Sequence, residues 1–274
     1  MKIAITGASG FIGSHLRRRF KDHRVIKRDD SIDDISKKLE GIDCLINLAG
    51  APIIKRWTDE YKKTLWNSRI GTTKKLVAAI EKKAPRIFIS VSAVGIYPDS
   101  KECDEDCVGT SEDFLGMLAS QWEKEAQKAQ CPTAIFRFGM VLGKDGGALK
   151  KMLLPFKLGL GGPIGSGSMV MSWIHIDDLI NAISFVIERG LTGIFNGVSP
   201  NPVTNKEFSK ALGQALNRPA IIPIPIFFLK ILYGDASVVL TASKIVYPKR
   251  LLQEGFRFEY PAIQEALTDL IANQ

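Results

Sequence analysis

The sequence predicts a doubly wound α/β fold, a parallel sheet with helices on both faces, followed by a smaller C-terminal substrate lobe. Three observations predict it. The chain opens with strand, glycine turn and helix in immediate succession. Apolar strands then alternate with helical patterns to about residue 155, and beyond that point the texture turns rich in glycine and proline. Residues 1–155 are therefore expected to form the first domain, with a strand and helix returning to it at about 172–197, and residues 156–274 mainly the lobe.

Lys2–Thr6 is a short apolar run that reads as a buried strand, and Phe11–Phe20 repeats its apolar residues at helical spacing. Between them stand Gly7, Gly10 and Gly13. Gly7 permits a tight turn, Gly10 lets a pyrophosphate approach the backbone, and Gly13 lets helix and strand pack closely. The free N–H groups and positive dipole at the helix start complete an anion site. In this strand–turn–helix context the spacing reads as a dinucleotide cradle.

Further strands are predicted at His23–Arg28, Asp43–Leu48, Arg86–Ser92 and Thr133–Phe138, with helices at Asp33–Leu39, Thr58–Lys82, Glu112–Lys128 and Gly147–Lys157. Right-handed crossovers bring the C-terminal ends of such strands to one edge, where functional residues are expected. The later chain predicts a strand at Ser172–Ile176, a helix over Asp177–Glu188 capped by Asp177 and a short strand at Gly193–Asn196. A helix opened by the capping box Thr204-x-x-Glu207 and a terminal helix from Pro261 follow.

Hydrophobic residues make up 45% of the 274 residues, enough for a sizeable core. The net charge is +8, but the cations are scattered in pairs such as Lys62-Lys63 and Lys150-Lys151; a small anionic ligand is expected rather than nucleic acid. The N-terminus lacks a signal-peptide pattern. The most apolar later run, Ala220–Tyr233, is interrupted by Pro223, Pro225 and Lys230 and reads as lobe packing rather than a membrane span, so a cytoplasmic location is expected. Cys44, Cys103, Cys107 and Cys131 lack paired zinc-ligand spacing, and no metal is expected. Cys103 and Cys107 read as free loop thiols, with metal binding or oxidation as the alternative.

The end of the second strand bears on the cofactor, because an acidic residue there holds a ribose hydroxyl whereas an arginine accommodates a 2′-phosphate. Here Lys27-Arg28 precede Asp29-Asp30. The cations favour NADP(H), with Arg28 gripping the phosphate through paired hydrogen bonds; an aspartate on the ribose is the alternative.

The third strand runs into Asn47-Leu48-Ala49-Gly50-Ala51-Pro52 and the fourth into Ser90-Val91-Ser92-Ala93-Val94-Gly95-Ile96-Tyr97. With the glycine triplet, Asn67 ahead of Gly71-Thr72, and Trp173–Asp178, these segments resemble the extended short-chain dehydrogenase/reductase family. The nearer likeness is to its sugar-nucleotide-epimerase-like branch, formerly labelled a cell-division inhibitor group. Gly161–Gly167, Pro200–Phe208, Arg218-Pro219 and Pro248–Leu251 resemble that branch's later motifs, so the likeness covers residues 1 to about 260. It implies a Rossmann-type sheet and a nicotinamide dinucleotide held at Gly7, Ser9, Gly10, Phe11, Ile12, Arg28, Leu48, Ala49, Gly50 and Asn67. It also implies that Ser92 hydrogen-bonds a substrate oxygen.

The family's acid–base pair, a tyrosine followed four residues later by a lysine, falls on Leu115 and Ala119 when counted back from Glu123. Neither moves a proton, and the branch itself typically lacks the pair. Tyr97, five residues after Ser92, is expected to line the substrate pocket and donate to a carbonyl, with packing over the loop as the other reading. The acidic residues from Asp99 to Asp106 read as a solvated face, His175 as structural, and Gly159–Ser168 as a mobile rim over the substrate. Two functions follow. One is an NADP(H)-dependent oxidoreductase or epimerase-like enzyme acting on a small carbonyl or hydroxyl substrate, compatible with a homodimer. The other is a catalytically silent NADP(H)-binding sensor or regulatory protein, favoured by the missing pair.

Overall fold

The computed structural model describes residues 1–272. β1 (Ile3–Thr6) leads into α1 (Phe11–Arg19), followed by β2 (His23–Ile26), α2 (Ile32–Leu39) and β3 (Cys44–Asn47). α3 (Asp59–Trp66) passes through a π-helical turn, Asn67–Gly71, into α4 (Thr72–Lys82). Next come β4 (Ile87–Ala93), the short β5 (Glu102–Cys103), α5 (Phe114–Ala126), β6 (Thr133–Phe138), β7 (Met140–Gly143) and α6 (Gly147–Lys157). Past the glycine-rich loop lie β8 (Val170–Met171), β9 (Trp173–His175), α7 (Ile176–Arg189), β10 (Gly193–Gly197), β11 (Val203–Thr204) and α8 (Asn205–Leu216). α9 (Ile226–Tyr233), α10 (Val238–Thr241), β12 (Ile245–Val246), α11 (Lys249–Gln253) and α12 (Ile263–Ala272) complete the chain.

Six strands form a parallel sheet in the order β10-β6-β4-β3-β1-β2. The chain turns back across β1 after β2, so the crevice between the C-terminal ends of β1 and β3 is the switch point where such sheets bind ligands. β1 and β3 are buried at every residue, because helices cover both faces. Ile3, Ile5, Cys44, Ile46, Ile87 and Ile89 share a core with Leu16 of α1 and Leu179 and Ile183 of α7. Ala4, Leu45 and Phe88 point the other way, onto Ile35 and Leu39 of α2 and Leu76 and Ile80 of α4.

Several elements differ from the sequence expectation. The long helix predicted over Thr58–Lys82 forms, running from Asp59 to Lys82, but widens into a π-helical turn at Asn67–Gly71. Within Ala220–Tyr233, Leu229 alone among the α9 residues is buried, whereas Phe227 is 56% and Leu232 63% exposed, so this run does not serve as lobe packing along its length. Cys103 and Cys107 are joined in a disulfide rather than free, leaving Cys44 and Cys131 as thiols. The loop expected as a mobile rim is tied down by Gly165 N donating to Ile224 O, Ile224 N to Pro163 O and Lys206 N to Gly167 O. Among the described residues no helix is long and apolar enough to cross a membrane, and no cluster of three His, Cys, Asp or Glu is arranged to hold a metal ion.

The capping box at Thr204 and Glu207 forms as predicted, but α7 is capped by His175, whose Nδ1 accepts from Asp177 N at 3.1 Å. The ring is buried and stacks on Tyr260. Burial lowers its pKa, against the opposing charges of Asp177, Asp178 and Asp269. Below the unfolded value of about 6.5 the unfolded chain therefore takes up a proton that the folded chain refuses, and stability falls as pH drops through this window. Asparagine also caps helices well. His175→Asn should therefore flatten this dependence by up to about 1.4 kcal/mol per pH unit, measured by urea unfolding at successive pH values.

Candidate functional site

Residues at the ends of β1 and β3 shape the crevice. Thr6 Oγ1 donates to Asn47 Oδ1 at 2.8 Å and accepts from Leu48 N at 3.0 Å and Ala49 N at 3.1 Å. Asn47 Nδ2 donates to Thr73 Oγ1 at 3.0 Å, which also accepts from Trp122 Nε1 at 3.0 Å. Two helices thereby fix the turn Leu48–Pro52. Gly7, at φ +65°, sits against it: a Cβ there would lie 2.7 Å from Leu48 O. Sequence reasoning did not single out Thr6, Thr73 or Trp122. The available signal was a polar residue closing each of two apolar strands, since Thr6 and Asn47 are register partners.

α1 starts at Gly10 with no side-chain cap. Its first-turn N–H groups therefore remain available to an anion. Gly7, Ser9 and Gly10 are exposed around this start. The Phe11 ring turns away onto Gly143 and Gly146, leaving its backbone as its contribution. At the far side of β1, Arg28 is exposed and makes no ion pair among the described residues. Asp30 is already used: it accepts from Lys27 N at 2.7 Å and pairs with Lys38. Asp29 remains exposed beside Arg28, and Asn67 is exposed at the start of the π-helical turn.

Ser92 and Tyr97 meet in one network, but inside the protein, where each is 1% exposed. Ser92 Oγ donates to Glu123 Oε1 at 2.6 Å. Arg137 grips the same carboxylate with Nε at 2.8 Å and Nη2 at 2.7 Å, and its Nη1 donates to the Tyr97 hydroxyl at 2.8 Å. That hydroxyl in turn donates to Asn196 Oδ1 at 2.9 Å. Each hydroxyl has thus given its proton inward. In the free chain Tyr97 thus takes the packing role that was the other reading of it, Ser92 is engaged by Glu123, and Ala93 is the exposed residue at the end of β4.

Burial pushes the Tyr97 phenol above its ordinary pKa. Burial would lower Arg137, but the hydrogen bonds and charge of Glu123 prevail and hold it above its ordinary value. The network extends to Glu105, whose carboxylate accepts from Asn196 N and Arg250 N and is raised by burial. Glu105 lies inside the Cys103–Cys107 loop, so this part of the acidic run is interior rather than a solvated face.

On α5, Leu115 packs near Gly95 and Ala119 is buried, and the helix carries Lys124 as its single lysine and no tyrosine.

A sequence model of the NAD dependent epimerase/dehydratase family matches residues 3–196, from the first strand of the sheet through Asn196 in β10. The chain belongs to the NAD dependent epimerase/dehydratase family. A second model, a domain of unknown function (DUF1731), matches residues 224–270.

Members of the family similar along the whole chain include Epimerase family protein SDR39U1 of Mus musculus, 38% identical over 293 residues, with 99% of this chain and 100% of the relative covered. Epimerase family protein YfhF of Bacillus subtilis (strain 168) is 37% identical over 301 residues, with 100% and 99% covered. The crystal structure of human SDR39U1 (isoform 2) with NADPH superposes with a TM-score of 0.93 at 34% identity, covering all of both chains. Thermus thermophilus UDP-glucose 4-epimerase in complex with NAD, at 16% identity and a TM-score of 0.79 over 99% of this chain and 98% of that one, shares the fold.

Proposed function

We propose that the chain binds NADP(H) across the crevice between β1 and β3. There it acts as an oxidoreductase or epimerase-like enzyme on a small carbonyl or hydroxyl substrate. The observation that carries this reading is the pairing of an uncapped glycine start to α1 with a free Arg28 beyond β2, where Asp30 is already engaged. The site fits the dinucleotide on its own terms: a helix start without a cap suits a pyrophosphate and an unpaired guanidinium suits a 2′-phosphate. Gly7, Ser9, Gly10 and the backbone of Phe11 and Ile12 would hold the phosphates. Leu48, Ala49, Gly50 and Asn67 would border the nicotinamide half, and the C-terminal lobe would hold substrate. The nicotinamide supplies or accepts hydride; the chain's part is to bind and orient it. The NADPH in the human SDR39U1 structure supports the choice of cofactor.

One observation favours the second reading, a sensor or regulatory protein that binds NADP(H) without turnover. Ser92 and Tyr97 donate inward, and α5 holds Leu115 and Ala119 at the two positions to which the resemblance assigns the acid–base pair. Following NADPH absorbance against aldehydes, ketones and quinones separates the two: tight binding with no turnover on any of them selects the sensor. Arg28→Ala should weaken NADPH about tenfold to a hundredfold while leaving NADH nearly unchanged, because a charged hydrogen-bond pair is lost for the first nucleotide only. Equal losses for both nucleotides in a fluorescence titration would remove the 2′-phosphate assignment.

A further inference from the structure

Arg69 lies in the π-helical turn, directly behind the turn that follows β3. Such a turn offsets the helix locally. Here two successive side chains reach one residue: Ser68 Oγ accepts from Ala51 N at 3.0 Å, and Arg69 Nη2 donates to Ala51 O at 3.0 Å. The guanidinium rests against Gly50, where a Cβ would stand 3.1 Å from Cζ and 3.2 Å from Nη2. Its Cζ also lies 5.4 Å from the centroid of the Trp122 ring on α5. The other contacts, from Nη1 to Leu65 O at 3.4 Å and Ser68 Oγ at 3.5 Å, are long.

Every one of these partners is neutral. Arg137 and Lys244, the buried cations elsewhere in the chain, each have a carboxylate, Glu123 and Asp99 respectively. Arg69 has none among the described residues, and burial lowers its pKa to about 10, which still leaves it charged at neutral pH. Arg69 is half-buried, and a cation drawn that far from water without a counter-charge costs the fold free energy.

Topology decides which end of a dinucleotide meets this charge. With the pyrophosphate at the start of α1 and the adenosine end toward Arg28 beyond β2, the nicotinamide end extends the other way, over the turns after β3 and β4. Arg69 stands behind the first of these turns. We infer that Arg69 determines which oxidation state the site prefers, its uncompensated charge favouring the neutral reduced nicotinamide over the positively charged oxidised one. The inference rests on the NADP(H) reading and deepens it. Both forms carry the same phosphates, so attraction between the guanidinium and the phosphates cancels in the ratio of the two affinities, leaving the ring charge.

The test compares Kd for NADPH and NADP+, by fluorescence and by calorimetry, for the wild type, Arg69→Lys and Arg69→Gln. The wild type should bind NADPH about tenfold or more tightly than NADP+, and Arg69→Gln should cut that preference about tenfold. Arg69→Lys should weaken both nucleotides, because it loses the grip on Ala51, yet keep the preference. Equal weakening of both forms by Arg69→Gln, with the ratio unchanged, overturns the inference and leaves Arg69 as a support for the turn. A wild type that binds both forms equally overturns it without reliance on any variant. A wild type that binds neither form overturns the cofactor reading and the inference with it.

Discussion

Arg137→Met should lower the free energy of unfolding by about 3–5 kcal/mol, the cost of stranding a buried charge whose partner has been removed. Glu123 is 5% exposed and receives three hydrogen bonds, two of them from Arg137. Without the guanidinium its carboxylate keeps only Ser92, and Tyr97 loses the donor to its hydroxyl. The double variant Arg137→Met, Glu123→Leu removes both charges and should recover most of the loss, since a buried ion pair replaced by apolar groups of similar volume is close to neutral. Urea unfolding of the wild type, both single variants and the double variant measures the coupling directly. A single-variant cost below about 1 kcal/mol, as for an exposed pair, would show that water reaches the network.

This network also marks where sequence reading stopped. The sheet was legible because β1, β3 and β4 each open on an apolar run between turn signals, and the cradle because three glycines fall at set distances from a strand end. The placement of Ser92 and Tyr97 was not legible. Whether a hydroxyl at the end of a strand faces a cleft or the interior depends on what stands across from it. Here these are Glu123, 31 residues beyond Ser92, and Asn196, 99 residues beyond Tyr97. Arg69 escaped notice for a related reason. Its helix reads as continuous in apolar periodicity, and apolar spacing carries no sign of the π-helical turn in which residue 69 reaches Ala51. Local pattern sets the elements, but the partners of buried polar groups come from distant chain.

Gly13→Ala and Gly10→Ala should separate the two tasks of the glycine turn, with the largest loss of binding among these changes. A Cβ at residue 13 would lie 2.3 Å from Gly7 O and 2.9 Å from Ala8 Cα, both backbone atoms that cannot swing aside. α1 must then back away from β1, at a cost in stability of about 1–3 kcal/mol. The N–H groups at its start move with it, and losing two or more charge-assisted hydrogen bonds to the pyrophosphate, at about 1.5–3 kcal/mol each, should weaken NADPH binding about a hundredfold or more. At residue 10 a Cβ would meet Gly7 O at 3.2 Å, a single tight contact against the several at residue 13, so alanine there should cost clearly less stability than Gly13→Ala. Its methyl group would instead stand in the space that an approaching pyrophosphate needs. Thermal unfolding and NADPH titration of both variants read the two effects apart. Gly10→Ala binding NADPH as tightly as the wild type would place the pyrophosphate elsewhere, and with it the nicotinamide end whose charge Arg69 opposes.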